Sequence, residues 1–235
     1  MPVSVSEKKI KSKIKSGEKT VVIENIRYPY FEDEKNKKLC RKMNDFYSSV
    51  AERYSYHARI KLPARIKSKR ITCRLPVTLA MNYTLSFCDE SIISIVLDLS
   101  FTRGQNVKMR RFSQIWSVEK QDMLVPGELI KTDRASKKRI LSQILSIAEE
   151  NGKNDAFGYY GDYLSRLSKH FDIRNVFVVP KGLCFFVNAG ILSPVKYGAN
   201  NFVLQTDGIE GLIEDSFLPK QDVNAFQNKN IVNNI

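Results

Sequence analysis

Between Leu75 and Phe101 the chain alternates apolar and polar positions with few exceptions. Leu75, Val77, Leu79, Met81, Tyr83, Leu85 and Phe87 occupy every odd position, and after Cys88-Asp89-Glu90-Ser91 the period resumes with Ile93, Ile95, Leu97, Leu99 and Phe101. Side chains along a strand point to opposite faces in turn, so this pattern predicts a long antiparallel hairpin with one buried face. Upstream, Thr20 to Arg27 (TVVIENIR) reads as a first strand ended by Tyr28-Pro29-Tyr30, where proline turns its predecessor away from helix. From Glu32 to about Tyr56 the period becomes helical. Leu39, Met43, Phe46 or Tyr47, Val50 and Tyr54 form one stripe, which needs a sheet to lie on.

Downstream, Thr102 to Asn106 reads as a turn, followed by a strand over 108–118 and a short docking segment at Leu124 to Leu129. Thr132 or Asp133 can cap a helix that runs to Glu150 on Ile140, Leu141, Ile144, Leu145 and Ala148, stopped by Asn151-Gly152. Lys137, Lys138 and Arg139 crowd its first turns, against the helix dipole. A weaker helical pattern over 154–171 is interrupted by Gly158 and Gly161. Strands follow at 175–179, 183–187 and 201–205, the first two joined by Pro180-Lys181-Gly182. The predicted class is α+β: antiparallel β-sheets with long hairpins covered by two or three helices. Residues 1–19 read as a flexible basic arm, 20–205 as the folded module with sub-halves 20–74 and 75–205, and 206–235 as a polar tail.

The chain has 235 residues, 43% hydrophobic and 10% aromatic, which supports a real core. No apolar run approaches the roughly 20 residues that span a bilayer, and the lysine-rich start has no apolar stretch after it. As written the sequence reads as cytoplasmic, and as extracytoplasmic if a targeting segment has been removed. The four cysteines form no CxxC and read as reduced thiols.

The formal net charge of +13 points to an anionic partner: an anionic polymer, nucleic acid or an acidic protein. Two clusters are candidate contacts. One is Arg65, Lys67, Lys69 and Arg70 in the acid-free stretch 59–74, whose Pro63-Ala64-Arg65 center looks like a turn or an edge. The other is Arg103, Asn106, Lys108, Arg110 and Arg111 around the turn after the hairpin. Basic residues also guard strand edges against pairing, so both readings of the first cluster stand.

Local catalytic motifs are missing. There is no GxSxG, Walker loop, GxGxxG after a strand or HExxH helix, and Gly158-Tyr159-Tyr160-Gly161 lacks the basic loop of a nucleic-acid clamp. His57 and His170, the two histidines, read as helix-end or surface residues, and no metal site or cofactor is expected.

The order of elements resembles the RsiV-type extracytoplasmic module, a domain family largely of unknown function found in the anti-sigma factor RsiV and beside the catalytic domain of PdaC-type peptidoglycan deacetylases. Tyr28-Pro29-Tyr30 with Met43-Asn44, Ser91-Ile92-Ile93-Ser94-Ile95, the hairpin from Val179 to Phe186 and the stretch from Lys196 to Leu204 carry the resemblance, over about residues 20–205. Arg103-Gly104-Gln105-Asn106 stands where that family has a Gly-Gly-Ala-His turn. RsiV's membrane helix and sigma-binding segment and the deacetylase's His/Asp motifs have no counterpart here. Lysozyme binding is not carried over either, because two basic proteins repel.

The leading expectation is therefore a non-catalytic recognition module for an anionic partner. A hydrolytic or wall-associated enzyme with a dispersed site, and a structural or assembly subunit, are the alternatives.

Overall fold

A computed structural model of the chain describes residues 3–68, 76–209 and 211–213. The expected α+β class holds. Strands β1 (Ser4–Ser16), β2 (Lys19–Glu32), β3 (Val77–Cys88), β4 (Ile92–Arg103), β5 (Asn106–Ser117) and β6 (Asp122–Met123) form one sheet in that order. A second antiparallel sheet is β7 (Val176–Val179), β8 (Gly182–Val187) and β9 (Asn200–Gln205). The chain forms two compact units: residues 1–83 with 97–110, and residues 84–96 with 111–235. This departs from a division into 20–74 and 75–205, because β3, β4 and β5 each contribute residues to both units.

In the first unit the largest departure from the sequence reading is β1. The stretch expected to be a flexible arm is a 13-residue strand paired antiparallel with β2, from Ser4 opposite Glu32 to Ser16 opposite Lys19. Its two-residue loop places Gly17 at φ +62°, which glycine adopts without strain. Ile10 and Ile14 pack into the core and the lysines between them stay exposed, so the period is two and not helical. β2 runs on through Pro29 to Glu32. Its pairs with β3 run from Val22 to Ile26, so the proline sits where that neighbor no longer needs an N–H. The β2–β3 pairing is parallel, which makes the large sheet mixed.

Helix α1 (Lys37–Tyr56) begins later than its periodicity predicts. Glu32 belongs to β2, and Asp33 closes a turn by accepting from the Lys35 N–H and the Asn36 side chain. Leu39, Met43, Tyr47 and Ala51 are buried along one stripe. Asn44 clasps the end of β2, accepting from the Phe31 N–H at 2.8 Å and donating to its carbonyl at 2.9 Å. The helix does not stop at Tyr56. It continues through a π-helical segment, His57–Lys61, into α2 (Leu62–Lys67), where a turn or edge was expected. Pro63 has no N–H for the helical ladder, and the Leu62 N–H donates five residues back to His57.

In the second unit the expectations hold more closely. Asp89 tightens the β3–β4 turn by accepting from the N–H groups of Ser91 and Ile92. A short α3 (Pro126–Leu129) precedes α4 (Arg134–Gly152), which buries Ile140, Ile144 and Ala148. Asp133 caps α4 through Ala135 and Ser136. Bonds from the Ser136 hydroxyl and N–H hold its carboxyl below the usual range, which offsets the lysines in the first turns.

The weak helical pattern after Asn154 yields only α5 (Tyr163–His170) and one 3-10 turn. Gly158 is left-handed, and a Cβ there would lie 2.4 Å from the Tyr197 ring. Residues from 206 on are not simply a tail. Ile209, Leu212 and Ile213 are buried in the same core as Ile140 and Phe185, Ile213 bridges to Ile130, and the Gly208 carbonyl accepts from Gln143. The rest of the expected tail, 214–235, lies outside the described residues.

Candidate anion-binding surface

The charge of the chain is unevenly divided between the two units. The first unit contains 23 Lys and Arg against 9 Asp and Glu, and the second contains 15 against 16. The entire positive excess of the chain therefore belongs to the first unit. The second unit is close to neutral.

The two predicted clusters divide differently from the expectation. Arg65 and Lys67 are exposed on α2. Lys69 and Arg70 lie outside the described residues. Arg103 ends β4 at a two-residue loop, where Gly104 has φ +59°, and Asn106, Lys108 and Arg110 are exposed on the first half of β5. Ile66 of α2 and Phe101 of β4 pack against the same core cluster of Val22, Leu62 and Val77. Arg65 and Lys67 flank Ile66 on α2, and Arg103 lies two residues beyond Phe101 on β4. Arg111 differs from these in the unit it belongs to. It belongs to the second unit, where its N–H donates to Asn188 Oδ1 at 2.6 Å and its guanidinium to Asn201 Oδ1 at 2.8 Å. Arg111 is thus engaged with two polar side chains of the second unit.

His57 registers the density of positive charge around α2. Burial, then the nearby Arg65 and Lys61, push its imidazole below the ordinary value. His57 is not a helix-end residue, since the helical path runs on past it.

Among the described residues of the stretch 59–74, Arg59 reaches a buried carboxylate. Glu24 on β2 is 1% exposed, and its Oε2 accepts from Arg59 Nε at 2.9 Å and from the Ser12 hydroxyl at 2.6 Å. Burial raises the pKa of this carboxyl, but bonds from Ser12, Ser55 and Arg59 outweigh it and hold the group below the usual range. The π-helical turn places Arg59 for this contact while burying Ala58. Arg59 is half-exposed, so the cluster ties β1, β2 and the helical layer together at the protein surface.

The sequence reading also missed β1 as a source of ordered charge. Lys9, Lys11, Lys13 and Lys15 are all exposed, and they alternate with Ile10, Ser12 and Ile14, which face the helical side. Lysine at every second position was visible in the sequence as the signature of a strand with one polar face.

A second feature of the first unit is an open groove of about 820 Å³ between the end of β2 and the start of α1, lined in part by Lys8, Tyr30, Asp33, Cys40, Arg41 and Asn44. Most of its polar groups are engaged in holding the fold. Asp33 closes the turn, Asn44 clasps Phe31, Lys37 pairs with Glu34 and Lys8 sits 4.6 Å from the center of the Tyr30 ring. Cys40 is buried there, and burial with the Asp33 charge raises its thiol above the ordinary value. In the second unit burial pushes Cys88 up to about 11 and Cys184 up to about 12. Among the described residues Cys40, Cys88 and Cys184 are free thiols, no His, Cys, Asp or Glu cluster has the makings of a metal site, and no helix is long and apolar enough to cross a membrane.

No protein-family model matches this chain, and no curated protein matches it. Solved structures similar to it in fold include two DUF3298 family proteins. One is a DUF3298 family protein from Bacteroides fragilis NCTC 9343, with a TM-score of 0.63 at 12% identity over 91% of this chain and 94% of that one. The other is a DUF3298 family protein from Pseudomonas aeruginosa PAO1, with a TM-score of 0.60 at 12% identity over 92% of this chain and 98% of that one. At that identity the likeness is one of fold.

Proposed function

We propose that the chain is a non-catalytic recognition module, of the RsiV extracytoplasmic type, whose first unit binds an anionic partner. The observation that carries this reading is the charge partition, 23 basic against 9 acidic residues in one unit and near neutrality in the other. A basic composition that served solubility alone has no reason to fall on one unit. Arg65, Lys67, Arg103, Lys108 and Arg110 are the contacts on this reading, with Asn106 at the start of β5, and Lys69 and Arg70 extend the set in sequence. The fold shared with DUF3298 family proteins supports the extracytoplasmic-type assignment.

Binding of the full chain to immobilized heparin at low ionic strength tests the proposal. Retention should fall steeply between about 50 and 200 mM salt, as expected when several phosphate-like contacts release counterions. Elution in the lowest-salt wash would remove the reading.

A further inference from the structure

We propose that the outward face of β1 and β2 is a docking track for an extended phosphate polymer without bases, lying along β1. This names a site and a partner class for the anion-binding reading above, and rests on it.

β1 is the outermost strand of its sheet, so nothing in the sheet flanks its far side. On its outward face Lys9, Lys11, Lys13 and Lys15 follow one another at every second residue, all exposed. A strand rises about 3.4 Å per residue, so the ammonium groups repeat at about 7 Å along a line of about 20 Å. Among the described residues Lys11, Lys13 and Lys15 make no ion pair, while Lys9 pairs with Glu7 at 2.6 Å and marks one end of the track. On β2, Arg27 stands opposite Lys9 and Asn25 opposite Lys11. Arg27 is partly exposed and adds positive charge beside the track, although its Nε is itself buried. Asn25 Oδ1 is unpartnered and, being an acceptor, adds nothing for an anion.

Three features choose the partner. The charges form a line, which suits a linear polymer more than a compact ion. They are mostly ammonium groups, point charges that bind phosphate oxygens without requiring the fixed paired geometry of a guanidinium. Residues 9–15 and 20–27 contain no aromatic side chain, so the track offers no platform on which bases stack. Lysines on an edge strand also discourage pairing between sheets, a role that requires no ligand.

The test is a titration of the full chain with long-chain inorganic polyphosphate, repeated with single-stranded DNA and with a carboxylate polysaccharide. K11E/K13E/K15E should weaken polyphosphate binding at least tenfold. The neutral K11Q/K13Q/K15Q should lower the slope of log affinity against log salt by about 2, while R65E/K67E costs less. Unchanged polyphosphate binding in both lysine variants would overturn the track and leave the lysines as edge guards, with the broader anion-binding reading intact. Equal or tighter binding of DNA or the carboxylate polymer would overturn the partner class. Absence of binding by the unmodified chain to all three polymers removes both readings.

Discussion

Gly182→Ala is expected to destabilize the chain by about 4 kcal/mol, at the upper end of what single substitutions do. Gly182 opens β8 at φ +145°, a backbone conformation that side chains rarely adopt, and it lies opposite Gln205 of β9. A Cβ there would sit 2.2 Å from the Leu204 carbonyl oxygen and 3.1 Å from the backbone of Gln205 and Thr206. That carbonyl belongs to the adjacent strand, so relief requires opening the β8–β9 pairing beside Leu183, Phe185 and Phe202 in the core. Gly17 is the control. Its φ is +62° but nothing lies within 4 Å, so Gly17→Ala meets only the left-handed backbone penalty, about 1 kcal/mol. Urea denaturation of both variants measures the difference. Equal, small losses would show that β8 accommodates a side chain by a shift of the turn.

Arg59→Ala should cost about 2 kcal/mol at neutral pH. Removing one partner of a fully buried pair costs roughly 3–5 kcal/mol, and the half-exposed position of Arg59 reduces this through solvent screening. The loss should depend on pH. Glu24 has a folded pKa below its unfolded value of about 4.3. Its contribution is therefore complete above the unfolded value and disappears as pH falls through the folded one. The gap between the native chain and Arg59→Ala should be widest near neutrality and narrow below about pH 4. Midpoints of urea unfolding across this range provide the readout. A gap that does not change with pH would place the cost in lost packing of the Arg59 stem instead of in the ion pair.

These two sites differ in how far the sequence disclosed them. The turn at Pro180-Lys181-Gly182 and the strands around it could be read because local chemistry determines them: apolar runs of strand length, punctuated by proline and glycine. The same holds for the 75–101 hairpin and for α4 with its Asp133 cap. The Glu24–Arg59 pair could not be read, since 35 residues separate the partners and a helical turn of irregular pitch brings them together. Arg111 shows the same limit from the other side. It stands in a basic run, yet its partners Asn188 and Asn201 are 77 and 90 residues away.

β1 was misread for a different reason. The polar, lysine-rich composition of residues 1–19 reads as a solvated arm, and Ile10 and Ile14, four apart, fit a strand and a helical turn alike. The lysines between them are what select the strand. The docked segment ending at Ile213 was hidden by composition, because three apolar residues, Ile209, Leu212 and Ile213, carry it among polar neighbors. Of the candidate site, the identity of the basic residues was legible. Their concentration on one compact unit was not, since β3, β4 and β5 pass through both.

The central claim, that the first unit is the anion-binding part of this chain, is tested most directly by amide hydrogen exchange with and without saturating polyphosphate. The account predicts added protection in β1, β2, α2 and the loop between β4 and β5, with β7, β8, β9 and α4 unchanged. Added protection confined to β7, β8, β9 and α4, or none anywhere, would contradict it.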